Sequence, residues 1–156
     1  MKRSAGIVLF RRRSRTLEVL LGHMGGPYWT GKDVGAWTIP KGEIEPGEEP
    51  LAVARREFEE EIGIPLPDGD LVDLGEVRQR GGKVVRAWAV EGDVDPDTVV
   101  SNTFEIEWPP RSGRMQTFPE IDRAAWFELD GARALIVTAQ RAFLDRLITP
   151  GVRPQA

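Results

Sequence analysis

The chain has no cysteine and a single histidine, His23. The first absence excludes a disulfide framework, a thiolate zinc site and a cysteine nucleophile. The second excludes a multi-histidine metal centre. Long apolar runs are also missing: no stretch approaches the roughly 20 residues of a membrane helix. The apolar run 5–10 is too short for a signal sequence and is followed by Arg11, Arg12 and Arg13, so a cytoplasmic protein without a membrane partner is expected. Excess positive charge is lacking as well. A net charge of −4 argues against sequence-independent binding of duplex DNA and leaves small anionic ligands open. What is present is ordinary globular material. With 40% hydrophobic and 29% charged residues in 156, one domain with a real core is expected. Its expected span is 1–149, with 150–156 a loose tail.

Apolar runs at 5–10 and 17–21 predict a strand pair, and residues 22–35, with five glycines, predict a loop. A short apolar piece at 37–40 leads into a turn-rich segment, 41–47. Residues 49–62 predict a helix, with Pro50 in its first turn, glutamates favouring its positive end, and Gly63 and Pro65 as the stop. Leu51, Phe58 and Ile62 fall on one stripe of that helix, with Ala54 at its edge. Strands are expected at 71–77, 84–90 and 124–129, with another within 98–108. Residues 109–119 are expected to be irregular, and 132–148 to form a second helix capped by Asp130. Trp88, Trp108 and Trp126 are expected in the core. Strands alternating with two helices imply an α/β fold.

Chemistry concentrates between Glu43 and Glu61, where eight glutamates lie against Arg55 and Arg56 alone. A Glu-rich helix is most often a solvated acidic face. Spacing weighs against that here, because Glu57, Glu60 and Glu61 stand at i, i+3 and i+4 and share a face. Converging carboxylates repel unless a cation lies among them, and hard oxygen ligands suit Mg²⁺.

The wider pattern is Gly42, Glu48 six residues later, then Arg56-Glu57-Phe58-Glu59-Glu60-Glu61-Ile62-Gly63-Ile64. It reproduces all nine specified positions of the Nudix box, G-x5-E-x7-R-E-U-x-E-E-x-G-U, where U is bulky and apolar. A chance match in a chain of this length is on the order of 10⁻⁷. The chain therefore resembles the Nudix hydrolases. The segment from Trp37 to Gly42 and the turn at 45–48 fit that resemblance, as does the region from Phe118 to Trp126. The box covers 23 residues, with Phe58 an aromatic where an aliphatic is commoner.

The resemblance implies an α/β/α sandwich with a mixed β-sheet. It further implies hydrolysis of a nucleoside diphosphate linked to another group, for example a dinucleoside polyphosphate or a nucleoside triphosphate. Glu57, Glu60 and Glu61, with the Gly42 carbonyl, would hold Mg²⁺, with Mn²⁺ as a substitute. Glu48 and Arg56 would form a supporting pair. The base that takes the attacking water's proton is to be sought among Glu57, Glu60 and Glu120.

Outside the box, Lys41 could neutralise extra phosphates or lie on solvated surface; its Pro-Lys-Gly setting resembles members that cleave dinucleoside polyphosphates. Tyr28 and Trp29 could stack on a base or anchor their loop. Lys83, Arg86 and Arg114 could contact phosphate or simply be solvated. His23 is read as structural. A nucleotide-type small molecule is the expected partner, for a monomer or homodimer. The alternative is a Nudix-like module that binds a nucleotide without hydrolysing it; such a module would be expected to have lost one of the three glutamates.

Overall fold

A computed structural model describes residues 2–147. The first strand pair forms as expected: β1 (Arg3–Arg13) turns at Ser14 and Arg15, both at positive φ, into antiparallel β2 (Thr16–Met24). After the glycine-rich loop come β3 (Trp37–Thr38) and β4 (Lys41–Glu43), then helix α1 (Pro50–Ile62). The antiparallel strands β5 (Val72–Arg78) and β6 (Val84–Glu91) follow. Next in the chain are β7 (Thr103–Glu107), β8 (Met115–Pro119) and β9 (Ile121–Glu128). Two short helices, α2 (Leu129–Leu135) and α3 (Arg141–Leu147), close the described chain.

The main sheet runs β3-β2-β1-β6-β5, with β4 on β1 and β9 on β2. It is mixed, because β1 pairs in parallel with β6 and antiparallel with β2 and β4. Alternation along β1 sends Ile7 and Leu9 to one face and Val8 and Phe10 to the other. On the first face Val53, Ala54, Phe58 and Ile62 of α1 pack over Leu20, Trp88 and Val90. On the second, Phe143, Leu144 and Leu147 of α3 pack with Ile136 over Val19 and Leu21. Helices on both faces of a mixed sheet make the expected α/β/α sandwich.

Several details differ from the sequence reading. Residues 115–119 pair with 103–107 as a separate two-stranded sheet, so the stretch 109–119 is only partly irregular. Lys41–Glu43 pairs with Ser4–Gly6 instead of turning. The second helix is broken at Ile136 and Val137, which are extended. There the Val137 N–H donates to the Trp37 carbonyl at 2.8 Å. Behind the break, the fully buried Gln140 receives the Ile39 N–H at 3.1 Å. Sheet pairing outcompetes helix continuation. The cap position of α2 is Glu128, without a side-chain bond, and Asp130 lies in the first turn. Glu49 is the N-cap of α1, its carboxylate accepting from the Ala52 N–H, and the first turn carries no acid. Trp88 is buried, but Trp108 and Trp126 are only half-buried. The expected tail at 150–156, with Ile148, lies outside the described residues.

Phe58 pins the glutamate helix to the sheet and is fully buried. Replacing it with Ala is expected to cost about 3–5 kcal/mol, the range for deleting a buried aromatic, read as a lower midpoint in urea unfolding. A loss below about 1 kcal/mol would mean that α1 is held by something else.

Candidate active site

The site is built where α1 faces the turn from β3 into β4. Capping starts the helix in register: Glu49 closes its first turn, and Gly63, at φ 80°, ends it with its N–H on the Glu59 carbonyl. Burying Phe58 and Ile62 against the sheet then directs Glu57 and Glu61 toward Lys41 and Gly42. Gly42 is there by necessity. A Cβ at that position would lie 1.5 Å from Glu57 Oε1, so only the absent side chain admits this carboxylate.

Glu61 is 8% exposed and accepts the Lys41 backbone N–H at 3.3 Å. Burial pushes its carboxyl up to about 8, partly opposed by the charge of Lys41 and reinforced by Glu57. Glu57 is pushed up to about 7, first by burial, then by its hydrogen bond with Glu60 and that neighbour's charge. A hydrogen bond between two carboxyl groups requires a shared proton. Glu120 arrives from the link between β8 and β9 and is also raised by burial. Its charge acts on Glu57, Glu61 and Lys41, which puts it in the same cluster. Lys41 is lowered, first by burial and then by Lys83. Thus the charges of Lys41 and Lys83 and of Glu57, Glu60, Glu61 and Glu120 influence one another at one end of the sheet.

Arg56 organises the outer side. Its Nη1 donates to Glu48 Oε2 at 2.5 Å, and its Nε lies 3.9 Å from Glu60 Oε1. Glu48 in turn accepts the Glu45 N–H at 2.8 Å, closing the turn before the helix. The guanidinium therefore ties the turn to the glutamate face.

Not every candidate is brought here. Arg86 pairs with Asp73 at 2.6 Å and lies over the Trp88 ring, so it is engaged elsewhere. Arg114 is exposed on the β7–β8 hairpin. Trp29 packs against the core and anchors its loop, whereas Tyr28 is exposed beside Trp108. His23 is buried between Asp122 Oδ1 and the Lys32 carbonyl, in keeping with a structural role. Asn102, whose N–H donates to the Glu60 carbonyl at 2.8 Å, escaped sequence reasoning because nothing local marks a pairing across the fold.

Among the described residues, no three His, Asp or Glu side chains are gathered tightly enough to form a ready-made cation cage. The donor set nevertheless fits a hard divalent ion. Mg²⁺ asks for only one or two protein carboxylates, with water and substrate phosphate completing its shell. Burial raises the carboxyl groups of Glu57, Glu61 and Glu120, and a bound cation would offset that penalty.

Comparison with known proteins gives the family and the fold. A family model described as NUDIX domain matches residues 1–147. The bis(5'-nucleosyl)-tetraphosphatase (asymmetrical) of Sus scrofa is 33% identical over 100 residues, covering 57% of this chain and 64% of that protein. The chain thus spans less than two thirds of the length of that relative. A second similarity, 46% over 43 residues, is to an RNA pyrophosphohydrolase of Erythrobacter litoralis, covering 28% of this chain and 24% of the relative. Among solved structures, a C. elegans Ap4A hydrolase binary complex superposes with a TM-score of 0.64 at 23% identity, covering 92% of this chain and 94% of its own. At that identity the likeness establishes the fold.

The raised carboxyl groups make stability depend on pH. Between the ordinary glutamate value near 4.5 and about 8, the folded chain holds protons on Glu61 that the unfolded chain has lost. This contribution therefore falls as pH rises through that window. Glu61→Gln is expected to be increasingly more stable than the wild-type chain from pH 5 to pH 8 without divalent ions, measured by thermal melting. Mg²⁺ should stabilise the wild type more at pH 8 than at pH 5. A stability gap independent of pH would show that Glu61 ionises freely.

Proposed function

Because the chain belongs to the NUDIX domain family, we propose that it is a Mg²⁺-dependent pyrophosphohydrolase of nucleotide substrates, with dinucleoside polyphosphates the favoured class. The observation that carries this reading is the meeting of Glu57, Glu60, Glu61 and Glu120 with Lys41 around Gly42. Similarity to the tetraphosphatase of Sus scrofa supports the substrate class. So does Lys41, a cation inside the cluster that can balance phosphate charge beyond the metal-binding face.

In this reading Glu57, Glu60 and Glu61 hold the cation together with the Gly42 carbonyl. When bound, the ion polarises the phosphoanhydride and lowers the pKa of a coordinated water. The chain's own residues do the rest. Arg56, fixed by Glu48, lies 3.9 Å from Glu60 and orients that carboxylate on the face of α1. Lys41, with Lys83 nearby, draws the phosphate chain against that face. Glu120 approaches from a different element and is not spoken for by Arg56, so it is assigned to accept the proton of the attacking water. Hydrolysis then breaks one P–O bond, and the water oxygen joins the attacked phosphorus. No observation favours a binding module over an enzyme.

The test is cleavage of a panel of dinucleoside polyphosphates, nucleoside triphosphates, ADP-ribose and capped RNA, with and without Mg²⁺. Running it in ¹⁸O-water identifies the phosphorus attacked. Tight binding without any turnover would replace the enzyme with the module. Glu60→Gln and Glu61→Gln are each expected to lower kcat at least 100-fold while the chain stays folded, as removal of a charge-stabilising group does. Gly42→Ala is expected to cost a similar factor by displacing Glu57, since a shift of about 1 Å can cost 10²-fold. Near-normal turnover in Gly42→Ala would show that Glu57 need not sit where the glycine admits it.

A further inference from the structure

We propose that Ser101 is a positioning residue for the reaction, fixing Glu120 against the end of α1 so that its carboxylate is presented to the attacking water. The inference rests on the reading above, in which Glu120 accepts that water's proton.

Glu120 occupies a joint. It is the single residue between β8 and β9, where the chain passes from the two-stranded sheet to the main one. The β7–β8 ladder ends at the pair Thr103 and Pro119, and pairing with β2 begins at Ile121 and Met24. Glu120 therefore has no ladder partner in either sheet. A residue so placed would be free to rock, yet both peptide groups beside its Cα are bonded. On one side, the Glu120 N–H donates to the Asn102 carbonyl at 2.9 Å. On the other, the Glu120 carbonyl accepts the Gly25 N–H at 2.9 Å, and the Ile121 N–H donates to Ser101 Oγ at 3.0 Å. Peptide groups are rigid planes, so fixing the two that meet at a Cα fixes the direction of its Cβ.

These bonds lead directly to the glutamate helix. The carbonyls of the last turn of an α-helix have no partner within it. Segment 100–102 satisfies two of them. The Asn102 N–H donates to the Glu60 carbonyl at 2.8 Å, and the Val100 N–H to that of Ile62 at 3.1 Å. Close approach is possible because residue 63 is glycine; a Cβ there would lie 2.4 Å from the Val100 carbonyl oxygen. Asn102 thus joins Glu60 to Glu120 through its own backbone, its N–H on one and its carbonyl on the other. Ser101 locks that junction with a side chain. Its hydroxyl donates to the Asn102 carbonyl at 2.7 Å while accepting from Ile121, so one oxygen closes a ring through Asn102, Glu120 and Ile121.

Alanine could not do the same. Ile121 is buried, and without the hydroxyl its N–H loses its acceptor. A buried amide left unpaired is costly, so the link is expected to turn toward water and carry Glu120 with it. A displacement of about 1 Å at a reacting group can cost 10²-fold in rate. The other bonds of this bridge run from main chain to main chain, so Ser101 is where side-chain chemistry sets the fit.

The experiment is a double-mutant cycle on the full chain with Mg²⁺, using whichever panel substrate is turned over, joined to amide hydrogen exchange. Ser101→Ala is expected to lower kcat about 10- to 100-fold per folded molecule, with KM within about twofold of the wild type. Ser101→Thr, which keeps the hydroxyl, should retain most of kcat. In a Glu120→Gln background, Ser101→Ala should lower kcat no further, because it acts through the group already removed. The Glu120 and Ile121 amides should exchange faster in Ser101→Ala, with those in the middle of α1 unchanged. An unchanged kcat per folded molecule, even with a lower melting temperature, would make the bridge structural and overturn the proposal. So would additive losses in the cycle, or a Thr variant as slow as the Ala one. Near-normal turnover in Glu120→Gln would withdraw the base assignment, and this role with it. A wild-type chain that turns over no panel member removes the hydrolase reading and this role together, whereas wild-type turnover with Ser101→Ala unimpaired removes this role alone.

Discussion

Holding Glu57, Glu61 and Glu120 close together in a half-dry pocket is unfavourable, and much of the structure can be understood as opposing that penalty. Burial alone pushes each carboxyl up, and mutual repulsion adds to it at Glu57 and Glu61. The helix that carries two of them remains in place because its other side buries Val53, Ala54, Phe58 and Ile62 against the sheet. Protonation lowers this penalty, and a bound cation would do the same. A chain that keeps such an arrangement retains an electrostatic penalty in its fold, which is how stability and function are opposed at a site.

Lys41 and Arg56 moderate this penalty in different ways. Lys41 is itself pushed down by burial, so it is a poorly solvated cation that gains from any phosphate placed next to it. Arg56 is largely exposed, and its fork on Glu48 has the geometry of an organiser more than of a stabiliser, since exposed ion pairs contribute little. Its value lies in joining the turn at 45–48 to Glu60, two pieces of chain that the backbone does not otherwise bond.

How much of this was legible in the sequence follows from the range of each interaction. The i, i+3, i+4 spacing of Glu57, Glu60 and Glu61 needs only the helix period, and the alternation of β1 needs only the pleat. Both were readable. The α/β/α arrangement followed from the family pattern around Gly42 and Gly63. By contrast, Arg86 and Lys83 look alike in sequence, yet one is taken by Asp73 and the other lies near Lys41. The break in the second helix depends on Gln140 reaching Ile39, about a hundred positions earlier in the chain. Trp108 gives no local sign that it will meet Tyr28.

The hairpin β7–β8 shows what such distant pairing can add to a site whose chemistry is local. Its five-residue strands make no ladder with the main sheet and carry no core, so the sandwich would close without them. They are nevertheless bonded at the foot to α1 and to the loop that holds Tyr28. A segment that contributes little to the core yet is fixed to the carboxylate helix is poorly explained by stability. It is better explained by what its foot positions, the Glu120 backbone bonded to Asn102 and Gly25. Those bonds run from Glu120 through Asn102 to Glu60, so the hairpin sets the register of the link that carries Glu120 against the end of α1.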